Sequence, residues 1–449
     1  MDLPQQLIES LNGVKGFDRE AFNAIHQSGE QVVSIRLNPA KPAVAFPDAE
    51  QIPWCANGRY LPERPSFTLD PIFHAGGYYV QEASSMFLEF LLKQILDGED
   101  SLNALDLCGA PGGKTTLLAS LPFFKMVVAN EIIKTRVGIL HENLSKWGLP
   151  HCFVTNNDPR DFQRLPAFFD VMVIDAPCSG SGLFRKDHEA IKEWSARNVQ
   201  LCCERQQRIL ADALPTLKEG GYLIYSTCSF SEAEDEDILD WLGNQFNLDS
   251  IQIQVPPEWG IVETQSREKE FFGYRFYPNR LKGEGFFIAC MRRNDGESDR
   301  HRINKKEQTI PKAEKEGLNL WLKQSSNWQF LKLKDDYFAL PAEISQDYNK
   351  LEDQLSVRKR GVRLGSVIRG ELIPDHELAL STIIAGHVPF TEVNRELALK
   401  YLRKQELQLG NDLKGWNLIK FEGLNLGWIK ALKGRINNYY PSAWRIVKL

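Results

Sequence analysis

The chain has 449 residues, a formal net charge of −5, 43% hydrophobic residues and 25% charged residues. This composition is typical of a globular protein and excludes a disordered chain, a collagen and a coiled-coil rod. It contains no run of about 18 apolar residues and no secretory signal at its start, so we expect a cytoplasmic protein without a membrane partner.

Residues 1–74 are predicted to form a small α+β domain. Apolar residues at helical spacing come first, and the segment 32–38, VVSIRLN, has the composition of a strand. Four prolines, at positions 39, 42, 47 and 53, then indicate a loop.

Residues 75–293 alternate between short apolar segments and segments with helical spacing. The apolar segments are ALDLCG (104–109), MVVANE (126–131), CFVTNN (152–157), DVMVIDAP (170–177) and GYLIYSTC (221–228). Segments that are apolar on both faces are typical of buried parallel strands. The alternation therefore predicts a doubly wound, Rossmann-like α/β sheet. The segment 285–293 is expected to add an antiparallel strand at one edge.

A charged segment, residues 294–316, is predicted to be a linker, because it has too few apolar residues to fold alone. Residues 317–449 regain aromatic content and are interpreted as a separate C-terminal region. Residues 397–449 contain ten Lys and Arg against three Asp and Glu, a local charge of +7. Such a cluster of basic residues either contacts a nucleic acid or simply forms a solvated face of the protein. The charge alone does not decide between these two interpretations.

The first strand of the predicted sheet leads into a glycine-rich turn, CGAPGGKT, residues 108–115. Such a turn before a helix lets a ligand approach the backbone. The turn is not a P-loop, because Cys108 stands where that motif requires glycine, and Pro111 interrupts the dinucleotide pattern. A purely structural turn is the alternative, but the strand–turn–helix context favours a ligand.

Two acidic residues follow the next strands. Glu131 ends the second strand, about 20 residues beyond the turn, where an acidic side chain can accept both hydroxyls of a ribose. Asp158 follows the third strand. Each could instead be a helix cap or turn residue. Together with the turn they indicate a cofactor that contains adenosine.

The fourth and fifth strands end in DAPCSGSG and YSTCSFSE, which place Cys178 and Cys228 at the same edge of the sheet, with Asp175 nearby. Neighbouring strand ends can bring two such thiols together over one substrate. The eight cysteines form no CxxC pair and no histidine cluster has metal spacing, so we predict no metal site. A phosphatase loop is excluded because Phe184 stands where its arginine is required.

Several segments resemble the motifs of RNA 5-methylcytosine methyltransferases of the NSUN/Sun type. They are SIRLN (34–38), YVQEASSMF (79–87), ALDLCGAPGGKTT (104–116), VIDAPCSGSGLFRKD (173–187), YSTCSFSEAEDE (225–236) and RFYPNRLKGEGFFIA (275–289). Residues 361–380 and 426–441 resemble, more loosely, the PUA-like tail of bacterial members that modify ribosomal RNA. The resemblance implies RNA-binding roles for both residues 1–74 and the tail.

The resemblance also implies S-adenosylmethionine as the methyl donor, and it implies roles for individual residues. Cys228 would be the nucleophile, Cys178 would assist product release, and Asp175 would line both the cofactor and base sites. Lys114 is a candidate source of positive potential for the thiolate. The implied cofactor-binding residues are Cys108, Gly109, Ala110, Pro111, Gly112, Gly113, Lys114, Glu131, Arg136, Asp158 and Asp175.

This assignment suits cytosine chemistry, because carbon 5 becomes nucleophilic only after a thiolate adds to carbon 6. A protonated Asp175 would donate to the ring nitrogen, and the base would first leave its stack. The expected substrate is RNA, with small-subunit (16S) ribosomal RNA or the small subunit favoured, and the protein is expected to be a monomer. Transfer RNA, a non-catalytic assembly factor on the same fold and a nucleotide hydrolase are the alternatives, and the failed P-loop disfavours the hydrolase.

Overall fold

The computed structural model describes residues 3–42, 45–296, 310–324, 327–410 and 412–447. The predicted charged linker, 294–316, therefore falls mostly outside the described residues, from 297 to 309. Within the described ranges no helix combines the length and the apolar character that crossing a membrane requires.

The strands are β1 (Val33–Leu37), β2 (Glu50–Gln51), β3 (Gly58–Leu61), β4 (Tyr78–Val80), β5 (Leu102–Asp106), β6 (Phe124–Asn130), β7 (Cys152–Thr155), β8 (Phe169–Asp175), β9 (Leu217–Thr227), β10 (Leu248–Ser250), β11 (Val262–Gln265), β12 (Phe272–Phe276), β13 (Phe286–Arg293), β14 (Trp328–Leu333), β15 (Asp336–Pro341), β16 (Val357–Lys359), β17 (Val362–Ile368), β18 (Glu371–Pro374), β19 (Phe390–Glu392), β20 (Gly415–Phe421), β21 (Leu424–Leu432) and β22 (Arg435–Asn438).

The α-helices are α1 (Gln5–Ser10), α2 (Arg19–Gln27), α3 (Pro71–His74), α4 (Phe87–Ile95), α5 (Gly113–Ala119), α6 (Lys134–Trp147), α7 (His188–Glu193), α8 (Ala196–Ala213), α9 (Glu236–Gln245), α10 (Lys312–Asn319), α11 (Ser345–Gln354), α12 (His376–Leu380) and α13 (Arg395–Leu402).

A ten-stranded sheet forms the centre of the molecule. Its order is β11-β12-β13-β9-β8-β5-β6-β7-β16, and β10 pairs with β13. The five strands predicted from apolar segments are the ones that run parallel: β9, β8, β5, β6 and β7. The Rossmann-like prediction is confirmed, and the carboxyl ends of these five strands meet at one edge.

Both faces of this sheet are buried. Along β8, Met172 and Ile174 pack into one apolar layer, while Val171 and Val173 pack into the layer on the opposite face. All four side chains are fully buried. Successive side chains of a strand point to opposite faces, so continuous apolar composition is what burial on two faces requires.

The structure differs from the sequence-based expectation at both ends of the sheet. The strand predicted at an edge, β13, is antiparallel to β9 as expected, but β12 and β11 continue beyond it. The opposite edge is β16, which comes from the C-terminal region and pairs with β7. These added strands are short or partly polar, so their composition alone did not reveal them.

The N-terminal four-stranded sheet has the order β2-β3-β1-β4. Its last strand, β4, lies beyond the predicted domain boundary at residue 74 and pairs with β1. The residues after β4 then form one wall of the central cavity described below. The N-terminal module, residues 1–80, is therefore continuous with the functional region.

The C-terminal region contains two further four-stranded sheets, β14-β15-β17-β18 and β19-β20-β21-β22. It is not detached from the central sheet. Tyr348 and Leu351 of α11 and Val357 of β16 belong to the same apolar layer as Met172 of β8. The second C-terminal sheet also shares a core with the N-terminal module, in which Tyr401 and Ile419 pack with Ile35 and Tyr78.

Candidate functional site

A cavity of about 350 Å³ lies at the carboxyl edge of the parallel strands. Its walls come from the N-terminal module, the glycine-rich turn, the ends of β8 and β9, and the start of β13. The lining residues are Tyr79, Val80, Gln81, Glu82, Ser85, Asp106, Cys108, Gly109, Ala110, Pro111, Gly113, Lys114, Asp175, Leu183, Cys228, Gly285 and Phe286. The cavity thus collects residues from segments that lie far apart in the sequence.

The glycine-rich turn connects β5 to α5 beneath this cavity. Gly112 has φ +115°, a conformation that strains any residue with a Cβ atom. The backbone N–H of Gly109 donates to the carbonyl of Asn130 at 2.7 Å, which fixes the turn against the end of β6. The turn therefore presents its backbone, with little side-chain bulk, to whatever occupies the cavity.

Lys114 and Asp175 form an ion pair inside the cavity, with 2.8 Å between Lys114 Nζ and Asp175 Oδ2. Burial acts to lower the pKa of Lys114, but attraction to Asp175, Asp106 and Cys228 outweighs it, so its pKa is raised. Asp175 is also held by Ser226, whose hydroxyl donates to Oδ1 at 2.8 Å. The ammonium group is therefore a fixed positive charge beside Cys228.

The two predicted thiols lie side by side, with Cys178 Sγ and Cys228 Sγ 3.0 Å apart and both cysteines free. Cys228 lines the cavity, whereas Cys178 stands behind it. Hydrogen bonding to Cys228 and burial raise the pKa of Cys178 well above its ordinary value. The two thiols are therefore in contact, and Cys228 is the one that a ligand in the cavity meets.

Asp106 is a site residue that the sequence analysis missed. It is 1% exposed at the end of β5, it lines the cavity, and its Oδ2 accepts a 2.6 Å hydrogen bond from Thr115. Its other oxygen, Oδ1, is buried without a hydrogen-bond partner among the described residues. A single carboxylate within the apolar strand segment ALDLCG was the signal that could have identified it.

Four of the predicted cofactor residues lie outside the residues that line the cavity: Gly112, Glu131, Arg136 and Asp158. Glu131 is buried behind the turn, and its carboxylate accepts from the N–H of Ile133 at 2.8 Å and pairs with Arg136 at 3.2 Å. Arg136 also donates to the carbonyl of Ala110 at 2.6 Å. These contacts connect Glu131 to the turn.

Asp158 occupies a different position. Its Oδ1 accepts a 3.2 Å hydrogen bond from the N–H of Arg160, so it caps the short helical turn Pro159–Arg164.

Asn130, which the sequence analysis did not single out, connects the strand ends. Its amide donates to the carbonyls of Leu107 and Asn157 at 3.2 and 3.0 Å.

Arg36, from the SIRLN segment, ties the N-terminal module to the turn. This buried guanidinium donates to Gln81 Oε1 at 2.9 Å and to Thr116 Oγ1 at 2.6 Å, and it lies over the ring of Trp147. Gln81 is itself a lining residue. The module therefore closes the cavity in a fixed position, since Arg36 joins it to α5.

We expect the buried carboxyl of Asp106 to make stability depend on pH. Burial, opposed by the hydrogen bond from Thr115, raises its pKa from 3.8 to about 6. The fold thus favours the protonated form, so its contribution is most favourable below the unfolded pKa and declines as the pH rises to about 6. Relative to Asp106→Asn, the wild type should lose up to about 3 kcal/mol of unfolding free energy over this range. Urea unfolding at a series of pH values measures it, and a difference independent of pH would contradict the assignment.

Three families match consecutive parts of the chain. Residues 3–83 match the N-terminal domain of 16S rRNA methyltransferase RsmF, residues 93–292 match 16S rRNA methyltransferase RsmB/F, and residues 388–446 match the methyltransferase RsmF PUA domain. The second match contains the parallel sheet and the cavity residues contributed by its turn and strand ends. The first and third cover the N-terminal sheet and the sheet β19–β22.

Solved structures share the fold. A methyltransferase homolog protein from Pyrococcus horikoshii is 25% identical with a TM-score of 0.51, and the match covers 65% of this chain and 100% of that one. The structure of NSun6 from Pyrococcus horikoshii with SFG is 19% identical with a TM-score of 0.52, covering 65% and 98%.

Curated relatives match over most of their length. Ribosomal RNA small subunit methyltransferase F of Aliivibrio fischeri is 30% identical, and the match covers 88% of this chain and 85% of that protein. The protein of the same name from Vibrio vulnificus is 28% identical over 98% of this chain and 97% of its own. The chain belongs to the ribosomal RNA small subunit methyltransferase F family.

Proposed function

We propose that this enzyme transfers a methyl group from S-adenosylmethionine to carbon 5 of a cytosine in ribosomal RNA through a covalent Cys228 adduct. The observation that carries this proposal is the pair of thiols, 3.0 Å apart, at a cavity that also contains the glycine-rich turn and Lys114. A methyltransferase whose target atom is already nucleophilic would need neither thiol. Cytosine carbon 5 requires covalent activation.

The described residues suit S-adenosylmethionine. The unpartnered Oδ1 of Asp106 offers a buried acceptor to a positively charged group, and the turn offers close backbone approach. Glu131 and Arg136 would bind the ribose of the cofactor. Arg136 holds this pair against the turn, because it contacts Glu131 and also donates to the carbonyl of Ala110. When bound, the cofactor supplies an electrophilic methyl group. This chain's residues then hold it and exclude water from the cavity.

Cys228 would attack carbon 6 of the base, forming a carbon–sulfur bond and making carbon 5 nucleophilic. Negative charge then develops on the pyrimidine ring. In the structure the Lys114 ammonium lies 2.8 Å from Asp175 and lines the cavity, so it can donate to this charge, a role that the sequence analysis gave to a protonated Asp175. We therefore assign the donor role to the Lys114 ammonium, with Asp175 holding it and accepting from the amino group of cytosine.

Product release requires that carbon 5 lose its proton before Cys228 can leave. Cys178 Sγ lies 3.0 Å from the attacking sulfur, and a raised pKa makes its thiolate a strong proton acceptor. We infer that the Cys178 sulfur, as the thiolate, accepts the proton of carbon 5. The electron pair of the broken carbon–hydrogen bond restores the ring double bond, the carbon–sulfur bond breaks with its pair returning to Cys228, and 5-methylcytosine is free.

A second cavity supports a role for the C-terminal region in holding RNA. It measures about 320 Å³ and lies between residues 40–42 of the N-terminal module, the C-terminal segment 380–388, and strands β20 and β21. Lys41, Lys323 and Lys420 line it, and its lining residues include no Asp or Glu. Among the described residues Lys323 Nζ donates to the carbonyl of Thr382 at 3.0 Å, and an ammonium group has two further N–H donors to offer a phosphate.

Small-subunit ribosomal RNA is the proposed substrate, since that is what the names of the relatives specify for them. Transfer RNA remains the second choice. The cytoplasmic location and the monomeric state stay predictions.

The thiol variants should fail in different ways. Cys228→Ala should form no covalent complex with small-subunit ribosomal RNA, because the attacking sulfur is gone. Cys178→Ala should accumulate an enzyme–RNA complex that survives denaturing electrophoresis, because release is blocked. Cys290→Ala, a buried thiol of β13 away from the cavity, is the control and should behave as the wild type.

The wild type should also transfer tritium from methyl-labelled S-adenosylmethionine to the RNA, and nuclease digestion should yield 5-methylcytosine. A resistant complex with Cys228→Ala but not with Cys178→Ala would reverse the two roles. Absence of labelled 5-methylcytosine would reject the proposed reaction.

Glu131→Ala should weaken S-adenosylmethionine binding by about 1.5–3 kcal/mol, the usual value of a hydrogen bond to a charged group. RNA affinity should change little. Glu142→Ala, which removes a carboxylate paired with Lys146 on α6, is the control. Calorimetric titration measures both, and an unchanged cofactor affinity in Glu131→Ala would remove this residue from the site.

Lys323→Gln combined with Lys420→Gln should weaken RNA binding and flatten its salt dependence. Each lysine that no longer binds a phosphate should reduce the slope of log affinity against log salt by about 0.7–0.9. Substitution is the sharper test than deletion of residues 317–449, because Tyr348 and Leu351 pack in the central core. Lys218→Gln, which removes a lysine of β9 that is not among the residues lining this cavity, is the control. An unchanged slope in the double variant would exclude phosphate binding in this cavity.

A further inference from the structure

The two thiols share a feature of sequence: each is followed directly by serine, in Cys178-Ser179 and Cys228-Ser229. In the structure both serine hydroxyls donate to one carboxylate oxygen, Oε2 of Glu234, at 2.5 and 2.6 Å. The backbone N–H of Ser179 donates to the other oxygen, Oε1, at 2.7 Å. One carboxylate thus receives three short hydrogen bonds from the residues adjacent to the thiols.

Burying the Glu234 carboxylate at this position costs free energy. It is fully buried, and no basic side chain forms an ion pair with it in the described ranges. Burial raises its pKa, while the bonds from Ser179 and Ser229 act in the opposite direction. By contrast, the next residues, Asp235 and Glu236, both pair with Arg275. A buried carboxylate without a cation lowers stability unless hydrogen bonds compensate, so the serine contacts are its main compensation.

We propose that Glu234 is a positioning residue that clamps the two thiol-bearing loops together and so sets the distance between Cys178 and Cys228. The proposal rests on the function assigned above, in which both thiols act on one base. Glu234 touches neither the cavity nor either sulfur in a hydrogen bond; it acts through Ser179 and Ser229. Its negative charge also contributes to raising the pKa of Cys178, after the hydrogen bond to Cys228 and burial.

Other contacts hold the loop backbones without Glu234. The N–H of Gly182 donates to the carbonyl of Cys228 at 2.8 Å, and Ser181 Oγ accepts from the N–H of Phe230 at 2.9 Å. Loss of the carboxylate should therefore leave the loops folded but free to shift the sulfurs apart. A misplacement of about 1 Å in a reacting group can reduce a rate by about 100-fold.

The experiment measures the sulfur–sulfur distance by chemistry as well as by turnover. Diamide oxidises two adjacent thiols to a disulfide by taking two electrons and two protons, and the rate depends on how close the thiols are held. Mass spectrometry of the Cys178–Cys228 disulfide gives this rate in the absence of RNA. Steady-state kinetics of methyl transfer gives kcat and the KM for S-adenosylmethionine.

Glu234→Ala should slow disulfide formation by about 10-fold or more and reduce kcat by about 10–100-fold, with the cofactor KM unchanged. Glu234→Gln keeps one acceptor oxygen and should be intermediate. Ser179→Ala combined with Ser229→Ala, which keeps the carboxylate but removes its hydroxyl partners, should reproduce the effect. If Glu234→Ala does not fold, this double variant alone tests whether the clamp sets the distance between the two sulfurs.

Asp240→Ala is the matched control. Asp240 is another buried carboxylate, on α9, and it accepts from the N–H groups of Glu268 and Lys269. Its loss should leave the disulfide rate and kcat at wild-type values. A wild-type disulfide rate in both Glu234→Ala and the double serine variant would overturn the clamp. If the wild type failed to methylate cytosine while Glu234→Ala still slowed the disulfide, the clamp would stand and the proposed function would fall.

Discussion

The parallel direction of five central strands is the constraint on which the site depends. Because β9, β8, β5, β6 and β7 run the same way, the residues that follow each of them meet at one edge of the sheet. Lys114, Asp175 and Cys228 come from three different connections and still line one cavity. The apolar interior of the sheet holds these ends in place, since side chains on both faces of β8 pack into buried layers.

The strands and the turn could be predicted from the sequence because their signals are local. Apolar segments of six to eight residues, a turn of three glycines and a thiol at each of two strand ends are visible in the chain itself. Partners such as Ser179 and Glu234 could not be predicted, because 55 residues separate them and neither belongs to a periodic pattern. Likewise β16, with the sequence VRK, becomes a strand only because β7 offers an open edge.

The modules at the two ends of the chain are structurally coupled. Tyr401 and Ile419 of the C-terminal region share a core with Ile35 and Tyr78 of the N-terminal module, and Tyr440 bonds His74 at 3.3 Å. Arg36 in turn joins that module to α5. A ligand held by the C-terminal surface is therefore positioned relative to the cavity through packed side chains rather than through a linker.

Three consecutive acidic residues show how the chain fixes its reactive loop. Glu234 binds the serines beside both thiols, Asp235 accepts from Thr227 at 2.6 Å, and Glu236 pairs with Arg275. Asp235 and Glu236 share Arg275, while Glu234 and Asp235 also bind hydroxyl groups, so together the three carboxylates hold the segment that carries Cys228 from several sides. Buried charges rarely add net stability, because desolvation offsets their attraction. Hydrogen bonds and ion pairs do fix the orientation of the groups that they join, which apolar packing does not. Two sulfur atoms that act on one base must be held in a fixed orientation toward it.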